Sequence, residues 1–265
     1  MVFLPVNTLL LALSSPLANL GVATPHPSSL TLRSTSPIAN GIPLRILPLG
    51  ASITYGVGSS TGNGYRGPLR DQLTAAGNPV NMVGSRQAGT MRDNDVEGWP
   101  GLRIEQVYAK AVLGGSVVAW WKPNVVLINA GTNDAAQGWN VSSAGERMET
   151  MVRGVWEASP RAVVVLSTLL VNKRDRSEGN VKLVNREFRE LAKRLREAEG
   201  RRLVMVDMHS PDGPGLGDLV DGTHPGDMGY RKMANLWFKG LVAAADAGWL
   251  EAPEEVPGVP DDGAA

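Results

Sequence analysis

Two short segments of the sequence hold the side chains that nucleophilic acyl transfer needs. Ser52 follows the apolar run Leu44–Leu49 and Gly50, and Asp221 stands three residues before His224. A neutral serine hydroxyl is a weak nucleophile unless a base accepts its proton. A carboxylate that accepts a hydrogen bond from Nδ1–H of a histidine leaves Nε2 free to be that base. Taken singly, Ser52 also fits an ordinary turn serine, and His224 fits a loop histidine without chemistry.

Two further residues are candidates for stabilising the negative charge that develops on a carbonyl oxygen during acyl transfer. Gly101 has no side chain to block its N–H, and Asn133 carries a side-chain amide. One donor placed in advance contributes a factor of about 10²–10³ in rate. Each residue also fits a purely structural role: Gly101 fits a turn after Pro100, and Asn133 fits a helix N-cap.

Trp99 and Trp139 lie close in sequence to these donors. An indole face packs against the apolar face of a sugar, and equally well against the rest of the protein. Both tryptophans are therefore candidate substrate-binding residues. We expect no chemistry from the other two histidines, His26 and His209. No histidine or carboxylate cluster has the spacing of metal ligands, so we predict neither a metal nor a cofactor.

The segments that must position these residues alternate between strand and helix. Alternation of this kind predicts a three-layer α/β/α sandwich around a five-stranded parallel sheet. The carboxyl ends of parallel strands meet at one edge, so Ser52, Gly131–Asp134 and the loop Asp207–His224 should lie near one another. Apolar runs predict strands at 44–49, 79–84, 124–130, 162–166 and 203–206, and the predicted helices cover 65–77, 102–121, 143–158, 181–195 and 230–245.

The ends of the sequence differ in composition from the predicted folded domain at residues 44–250. Residues 1–23 resemble a secretory signal peptide, and the Ser-, Pro- and Thr-rich residues 24–43 predict a linker. The acidic, Pro-rich residues 251–265 predict a disordered tail. The first apolar stretch is too short for a membrane anchor. We therefore expect a secreted protein, with which the glycosylation sequon at Asn140 is compatible.

Composition excludes several classes of function. The formal net charge is zero, so the sequence lacks the excess of positive charge that is typical of nucleic-acid-binding proteins. There are no cysteines, which excludes disulfides, thiolate metal sites and a cysteine nucleophile. The glycine-rich segment Gly56–Gly64 has Thr61 where a dinucleotide-binding motif requires its third glycine, so we predict a solvent-facing loop. We expect a monomer.

In their order along the chain, the segments around Ser52, Gly101, Asn133 and Asp221–His224 resemble the four sequence blocks of the SGNH (GDSL-type) hydrolase superfamily. The resemblance covers residues 44–245 and implies a flavodoxin-like fold. It implies that Ser52 is the nucleophile, His224 its base and Asp221 the residue that orients the base. It also implies an oxyanion hole made of the Ser52 and Gly101 N–H groups and the Asn133 side chain.

A finer resemblance suggests the substrate. The segments Val83–Arg86 and Glu97–Gly101 look like those of the acetyl xylan esterases of carbohydrate esterase family 3. This implies a secreted serine esterase that removes acetyl groups from plant polysaccharide such as xylan through an acyl-enzyme. The alternatives are a lipase, lysophospholipase or thioesterase that acts on other acyl esters, and a non-catalytic carbohydrate-binding protein.

The sequence departs from the superfamily pattern at the nucleophile. The usual Gly-Asp-Ser is Gly50-Ala51-Ser52, so the aspartate that often braces this turn is absent. The turn must therefore be held by other residues. The nucleophile elbow of α/β-hydrolases fits less well, because Thr54 replaces the last glycine of G-x-S-x-G.

Overall fold

A computed structural model of the protein describes residues 1–2, 36–113 and 116–259. The fold lies within the unit Arg33–Ala265. Apart from Met1 and Val2, the signal peptide predicted over residues 1–23 lies outside the described residues, as do residues 24–35 of the predicted linker.

Seven strands in the described part of the chain form one sheet, in which β1 is central. All five predicted strands are present and pair in parallel, which confirms the predicted α/β architecture, but the sheet has seven strands rather than five and one of its pairings, β3 with β4, is antiparallel. Two shorter strands come from residues 85–100, where no strand was predicted; two and four residues are too few to give a periodic signal. The strands are β1 (Leu44–Gly50), β2 (Val80–Met82), β3 (Arg86–Gln87), β4 (Asp95–Gly98), β5 (Val125–Asn129), β6 (Val163–Ser167) and β7 (Leu203–Val206).

Eight α-helices connect and cover these strands within the described residues. They are α1 (Ser52–Tyr55), α2 (Arg66–Ala76), α3 (Ile104–Ala111), α4 (Val117–Trp121), α5 (Thr132–Gln137), α6 (Ala144–Ala158), α7 (Asp175–Lys193) and α8 (Asp227–Asp246). The prediction of one helix over 102–121 was wrong, because α3 and α4 are separate helices. Gly114 and Gly115 stand between them in the sequence, and glycine disfavours a helix interior by about 1 kcal/mol. No described helix is long and apolar enough to cross a membrane.

Helices cover both faces of the sheet, as the three-layer prediction requires. Val126 and Ile128 of β5 belong to one buried cluster, together with residues of α3, α4, α6 and α7. Val125 and Leu127 belong to the other, together with residues of α2 and α8. In a strand that is buried on both faces, apolar residues need not alternate with polar ones. This explains why the sequence of β5 is almost continuously apolar.

The chain segments that flank the predicted domain contact its amino-terminal edge. The buried Asn124 donates from Nδ2 to the carbonyl of Pro43 at 2.9 Å and to that of Glu251 at 2.7 Å. Arg45 donates to the carbonyl of Glu254 at 2.8 Å. Of the predicted tail at residues 251–265, the structure describes residues 251–259, and Glu251 to Glu254 lie against the sheet through these contacts.

Candidate active site

The carboxyl ends of three neighbouring strands place the predicted site residues close together. Gly50, which ends β1, pairs with Gly98 of β4 on one side and with the last residue of β5 on the other. Ser52 follows β1 by two residues, Gly101 follows β4 by three and Asn133 follows β5 by four. The sheet register therefore brings these three segments to one edge, as the topology predicted for Ser52 and Asn133.

Ser52, His224 and Asp221 form a continuous chain of hydrogen bonds. Oγ of Ser52 lies 2.8 Å from Nε2 of His224, and Nδ1 of His224 lies 2.7 Å from Oδ2 of Asp221. Burial raises the pKa of Asp221, but hydrogen bonds from His224 and from the N–H of Thr223 outweigh burial and lower it to about 2. The carboxylate is therefore ionised at neutral pH and only accepts, so Nδ1 donates to it. Nε2 of neutral His224 then accepts from the serine hydroxyl.

A compact loop holds Asp221 and His224 in this geometry. The N–H of Val220 donates to the carbonyl of His224 at 2.9 Å, and Oδ1 of Asp221 accepts from the N–H of His224 at 2.8 Å. Gly222, between them, has a φ of +85°, which a residue with a side chain rarely adopts. From the segment after β6, the N–H of Lys173 donates to the carbonyl of Gly222 at 2.9 Å. Asp221 and His224 thus belong to one small, internally bonded unit.

Backbone contacts hold the turn that carries Ser52. The N–H of Trp99 donates to the carbonyl of Gly50 at 2.9 Å, and α1 begins at Ser52. A Cβ on Gly50 would lie 2.1 Å from the carbonyl oxygen of Asn129, so only glycine fits this position. Ala51 is 3% exposed. A small apolar residue suits this buried position without the aspartate of the superfamily pattern.

Arg66 braces the segment that follows Ser52, and nothing in the sequence pattern indicated this role. Its side chain is fully buried. The guanidinium donates to the carbonyls of Tyr55 at 3.2 Å, Gly62 at 3.0 Å, Ala88 at 2.9 Å and Asn94 at 3.1 Å. An arginine at the start of a helix is ordinarily predicted to be exposed. The burial of Arg66 depends on contacts with segments that are distant in the sequence.

The three predicted oxyanion donors lie at the site with N–H groups available. Ser52 is the first residue of α1, so its N–H has no acceptor within the helix. Gly101 is exposed, with a φ of +84°, and its N–H donates to no acceptor among the described residues. Nδ2 of Asn133 donates one hydrogen to the carbonyl of Leu102 at 2.8 Å and retains a second. Asn133 is not the helix N-cap, since that position belongs to Gly131.

A buried ion pair is formed by the residue that follows Asn133. Oδ2 of the fully buried Asp134 accepts from the N–H of Ile104 at 3.2 Å, and Oδ1 accepts from Arg147. Burial raises the pKa of Asp134 despite this partner. Arg147 also donates to Glu105 at 2.7 Å and to the carbonyl of Asn140 at 2.8 Å. The pair thus joins α3, α5 and α6 next to the positions of Gly101 and Asn133. The sequence analysis did not predict this ion pair.

The two candidate tryptophans lie in different surroundings. Nε1 of Trp99 donates to buried Glu97 at 2.6 Å, while Arg86 and Lys110 lie 4.6 and 5.0 Å from the ring. This indole is therefore engaged within the protein. Trp139 is 44% exposed, with the guanidinium of Arg103 at 4.3 Å from its ring. A substrate-binding role stays a prediction for both residues, and exposure favours Trp139.

His209 takes no part in the hydrogen-bond chain of Ser52. Nε2 of His209 lies 3.2 Å from Oε1 of Glu178, and His26 lies outside the described residues. No group of three or more potential metal-ligating side chains occurs in the part of the chain that the structure describes.

Comparison with known proteins places the chain in a family. A family model described as the GDSL-like lipase/acylhydrolase family matches residues 49–232. A "multidomain esterase" of Ruminococcus flavefaciens is 26% identical over 229 residues, which are 77% of this chain and 29% of that protein. The chain thus spans less than a third of that relative's length.

Solved structures of esterases share the fold. The Clostridium thermocellum family 3 carbohydrate esterase superposes with a TM-score of 0.65 at 23% identity, over 77% of this chain and 98% of that one. A carbohydrate esterase family 3 protein from Talaromyces cellulolyticus gives 0.63 at 23% identity, over 77% and 99%. The superfamily resemblance predicted from the sequence is therefore confirmed. This chain belongs to the GDSL-like lipase/acylhydrolase family.

Proposed function

We propose that this protein is a serine esterase that removes acetyl groups from a polysaccharide such as xylan. The observation that carries the proposal is the chain of hydrogen bonds from Ser52 Oγ through His224 to Asp221, at 2.8 and 2.7 Å. A serine bonded to a neutral imidazole, which is itself oriented by an ionised carboxylate, is the arrangement that activates an alcohol as a nucleophile. Membership of an acylhydrolase family supports ester hydrolysis.

The reaction follows from these contacts in two steps. Ser52 Oγ attacks the ester carbonyl carbon while its proton passes to Nε2 of His224, and the imidazolium is stabilised by Asp221. When the tetrahedral intermediate collapses, the sugar oxygen leaves with that proton and acetyl-Ser52 remains. Water then loses a proton to Nε2 and attacks the acetyl carbon. Acetate leaves, and the serine hydroxyl recovers the proton.

Three N–H groups are assigned to the oxyanion that forms in each step. They belong to the backbones of Ser52 and Gly101 and to the side chain of Asn133. The hydrogen bond from Asn133 to the Leu102 carbonyl orients the amide in the ground state, so that the amide need not reorganise during the reaction. The Asp134–Arg147 pair then acts as a positioning element, because it fixes the helix that carries Asn133.

Support for an acetylated polysaccharide comes from the relatives and from the openness of the site. Two structural neighbours are family 3 carbohydrate esterases. The side chain of Asp221 is 53% exposed, so the site opens at the surface, where a polymer has access. The exposed ring of Trp139 offers a face for a sugar residue.

A second candidate is the hydrolysis of longer acyl esters. Three exposed apolar side chains, Leu216, Val220 and Met228, flank the loop that carries His224. An apolar rim of this kind favours contact with an acyl chain of several carbons. The two candidates predict opposite trends with acyl length.

The decisive experiment compares 4-nitrophenyl esters of increasing acyl length with acetate release from acetylated xylan. For the acetylesterase we expect kcat/KM to fall steeply beyond acetyl, and Ser52→Ala to abolish turnover. A rise with chain length would favour the lipase-like candidate. Equal background rates for wild type and Ser52→Ala, together with retention on a xylan column, would instead indicate a carbohydrate-binding protein.

We also propose that the protein is secreted and monomeric. Fusion of residues 1–23 to a reporter enzyme tests the first statement, since export with cleavage after Ala23 is the expected result. Retention of the reporter inside the cell would contradict it. Light scattering of the purified full-length chain should give the 28.1 kDa of one chain, and twice that mass would contradict a monomer.

A further inference from the structure

Three exposed cations lie between β6 and the first turn of α7 without carboxylate partners. Within the described residues, no carboxylate is at ion-pair distance from Lys173, Arg174 or Arg176. Further along α7, three cations do pair: the described partners are Glu178 for Lys182, Glu190 for Arg186 and Asp207 for Arg189. The three residues are called the basic rim below.

The basic rim does not stabilise the helix that it precedes. The amino-terminal end of a helix carries a partial positive charge, so cations at this end are unfavourable by some tenths of a kcal/mol each. Arg174 is the N-cap of α7 and makes no side-chain capping bond. Helix stability therefore does not account for the cluster.

The basic rim lies next to the Asp221–His224 loop on one side and next to the residue before Trp139 on the other. The N–H of Lys173 donates to Gly222, and the Lys173 stem packs so closely that a Cβ on Gly222 would lie 2.9 Å from its Cβ. On the other side, Nη2 of Arg176 lies 3.7 Å from the position of a Cβ on Gly138, the residue before Trp139. The cations thus extend from the Asp221–His224 loop to the exposed indole.

Nearby acidic groups leave a positive surplus at the rim. Asp221 is bound to His224, and Glu178 accepts from the N–H of Asn172 and faces His209 and Lys182. Asp175 is the one remaining carboxylate in the segment that carries the rim. Three cations against one carboxylate that has no ion pair among the described residues favour an anionic ligand.

We propose that Lys173, Arg174 and Arg176 bind a carboxylate on the sugar chain, so that the preferred substrate is an acetylated polysaccharide that carries uronic acid residues. This rests on the proposed function. A uronate next to an acetylated sugar would meet the basic rim while the acetyl group enters between Ser52 and Asn133. Guanidinium and ammonium groups are suited to carboxylates, and exposed pairs respond to salt.

The test uses acetylated glucuronoxylan oligosaccharides and the same oligosaccharides after methyl esterification, which removes only the negative charge. The variant is the triple substitution Lys173→Gln, Arg174→Gln and Arg176→Gln. The matched control neutralises three exposed cations elsewhere on the same helical segment, Arg186, Lys193 and Arg196. Acetate release at varied substrate concentration gives kcat and KM separately, and 4-nitrophenyl acetate reports the chemistry alone.

For wild type we expect a lower KM with the charged substrate, and a loss of this preference between about 20 mM and about 500 mM NaCl. The rim variant should raise KM for the charged substrate about 5–20-fold, because an exposed ion pair contributes a factor of about 1.5–5. Its kcat, its KM for the esterified substrate and its turnover of 4-nitrophenyl acetate should match wild type, as should every constant of the control variant.

The opposite results overturn the proposal. An equal KM of wild type for charged and esterified substrates, or an equal effect of the rim and control variants, would show that the basic rim is only a solvated surface. These outcomes leave the esterase proposal intact. Failure of wild type on 4-nitrophenyl acetate and on both oligosaccharides would instead contradict the esterase function, and with it the substrate preference.

Discussion

Ser60 is bound twice to Asp227, through its hydroxyl at 2.6 Å and through its N–H at 2.9 Å. Ser60 lies in the glycine-rich loop that follows the nucleophile, and Asp227 begins α8, three residues after His224. The hydroxyl of Tyr230, one turn further along α8, donates to the carbonyl of Val57 at 2.6 Å. The loop that we predicted to be merely solvent-facing thus joins the serine side of the site to the histidine side.

We therefore predict that Asp227→Asn lowers kcat for 4-nitrophenyl acetate about threefold to tenfold and leaves KM nearly unchanged. The substitution weakens the two bonds that hold the loop against α8, and small displacements between a nucleophile and its base are costly. Asp246→Asn, at the other end of the same helix, changes the charge equally and should retain wild-type kcat. Unchanged kcat in Asp227→Asn would show that the loop does not position the pair.

Asp221 should make the stability of the protein depend on pH in the acid range. Its pKa in the folded protein is about 2, below the ordinary value of 3.8. A lowered pKa contributes stability above the unfolded value, and this contribution is lost as the pH falls from about 4 towards about 2. Urea unfolding at several pH values should thus show a smaller acid loss for Asp221→Asn than for wild type. Parallel curves for the two proteins would contradict the lowered pKa.

Asn133→Ala should lower kcat by a factor of about 10²–10³ with little change in KM, because its amide is assigned to the oxyanion of the transition state. Asn180 provides a close control, since its Nδ2 also donates to a backbone carbonyl at 2.8 Å, that of Ala135 in the same helix. Asn180→Ala loses a comparable hydrogen bond without losing an oxyanion donor. If both variants lose activity equally, Asn133 acts through structure alone.

Arg66→Met should reduce the free energy of unfolding by about 2–5 kcal/mol, because four backbone carbonyls would lose a buried donor. Equilibrium urea unfolding measures the loss. Arg70→Met is the comparison, since Arg70 is on the same helix, partly exposed, and binds Asp93 at 2.7 Å. A loss no larger than about 1 kcal/mol in Arg66→Met would show that water replaces the guanidinium.

Short patterns in the sequence predicted the longer strands, the layers of the fold and the family. The apolar run before Ser52 and the run at Asn124–Ala130 formed β1 and β5, because strands buried on both faces are continuously apolar. The alternation of elements predicted the layers, and four separated segments identified the family. The catalytic roles of Ser52, Asp221 and His224 stay predictions, although the structure brings the three side chains into hydrogen-bond contact.

What the sequence did not predict depends on contacts between distant segments. Arg66 is buried only because the segments of Tyr55, Ala88 and Asn94 converge on it. Strands β3 and β4 are too short for a periodic signal, and β4 forms by pairing with the end of β1. Similarly, Asp134 and Arg147 look like ordinary helix-surface charges until α3 packs over them.

The hydrogen bonds of buried Arg66 to four backbone carbonyls have a consequence for how activity is lost during denaturation. The Ser52 turn is held by the bond from Trp99 to Gly50, and the segment after it by a guanidinium whose acceptors come from both sides of α2 in the sequence, from Tyr55 to Asn94. Both contacts join distant parts of the chain, so the geometry around Ser52 depends on the surrounding structure. During denaturation, esterase activity and the near-ultraviolet signal of tertiary packing should disappear in a single transition, which makes catalysis a direct measure of the folded population.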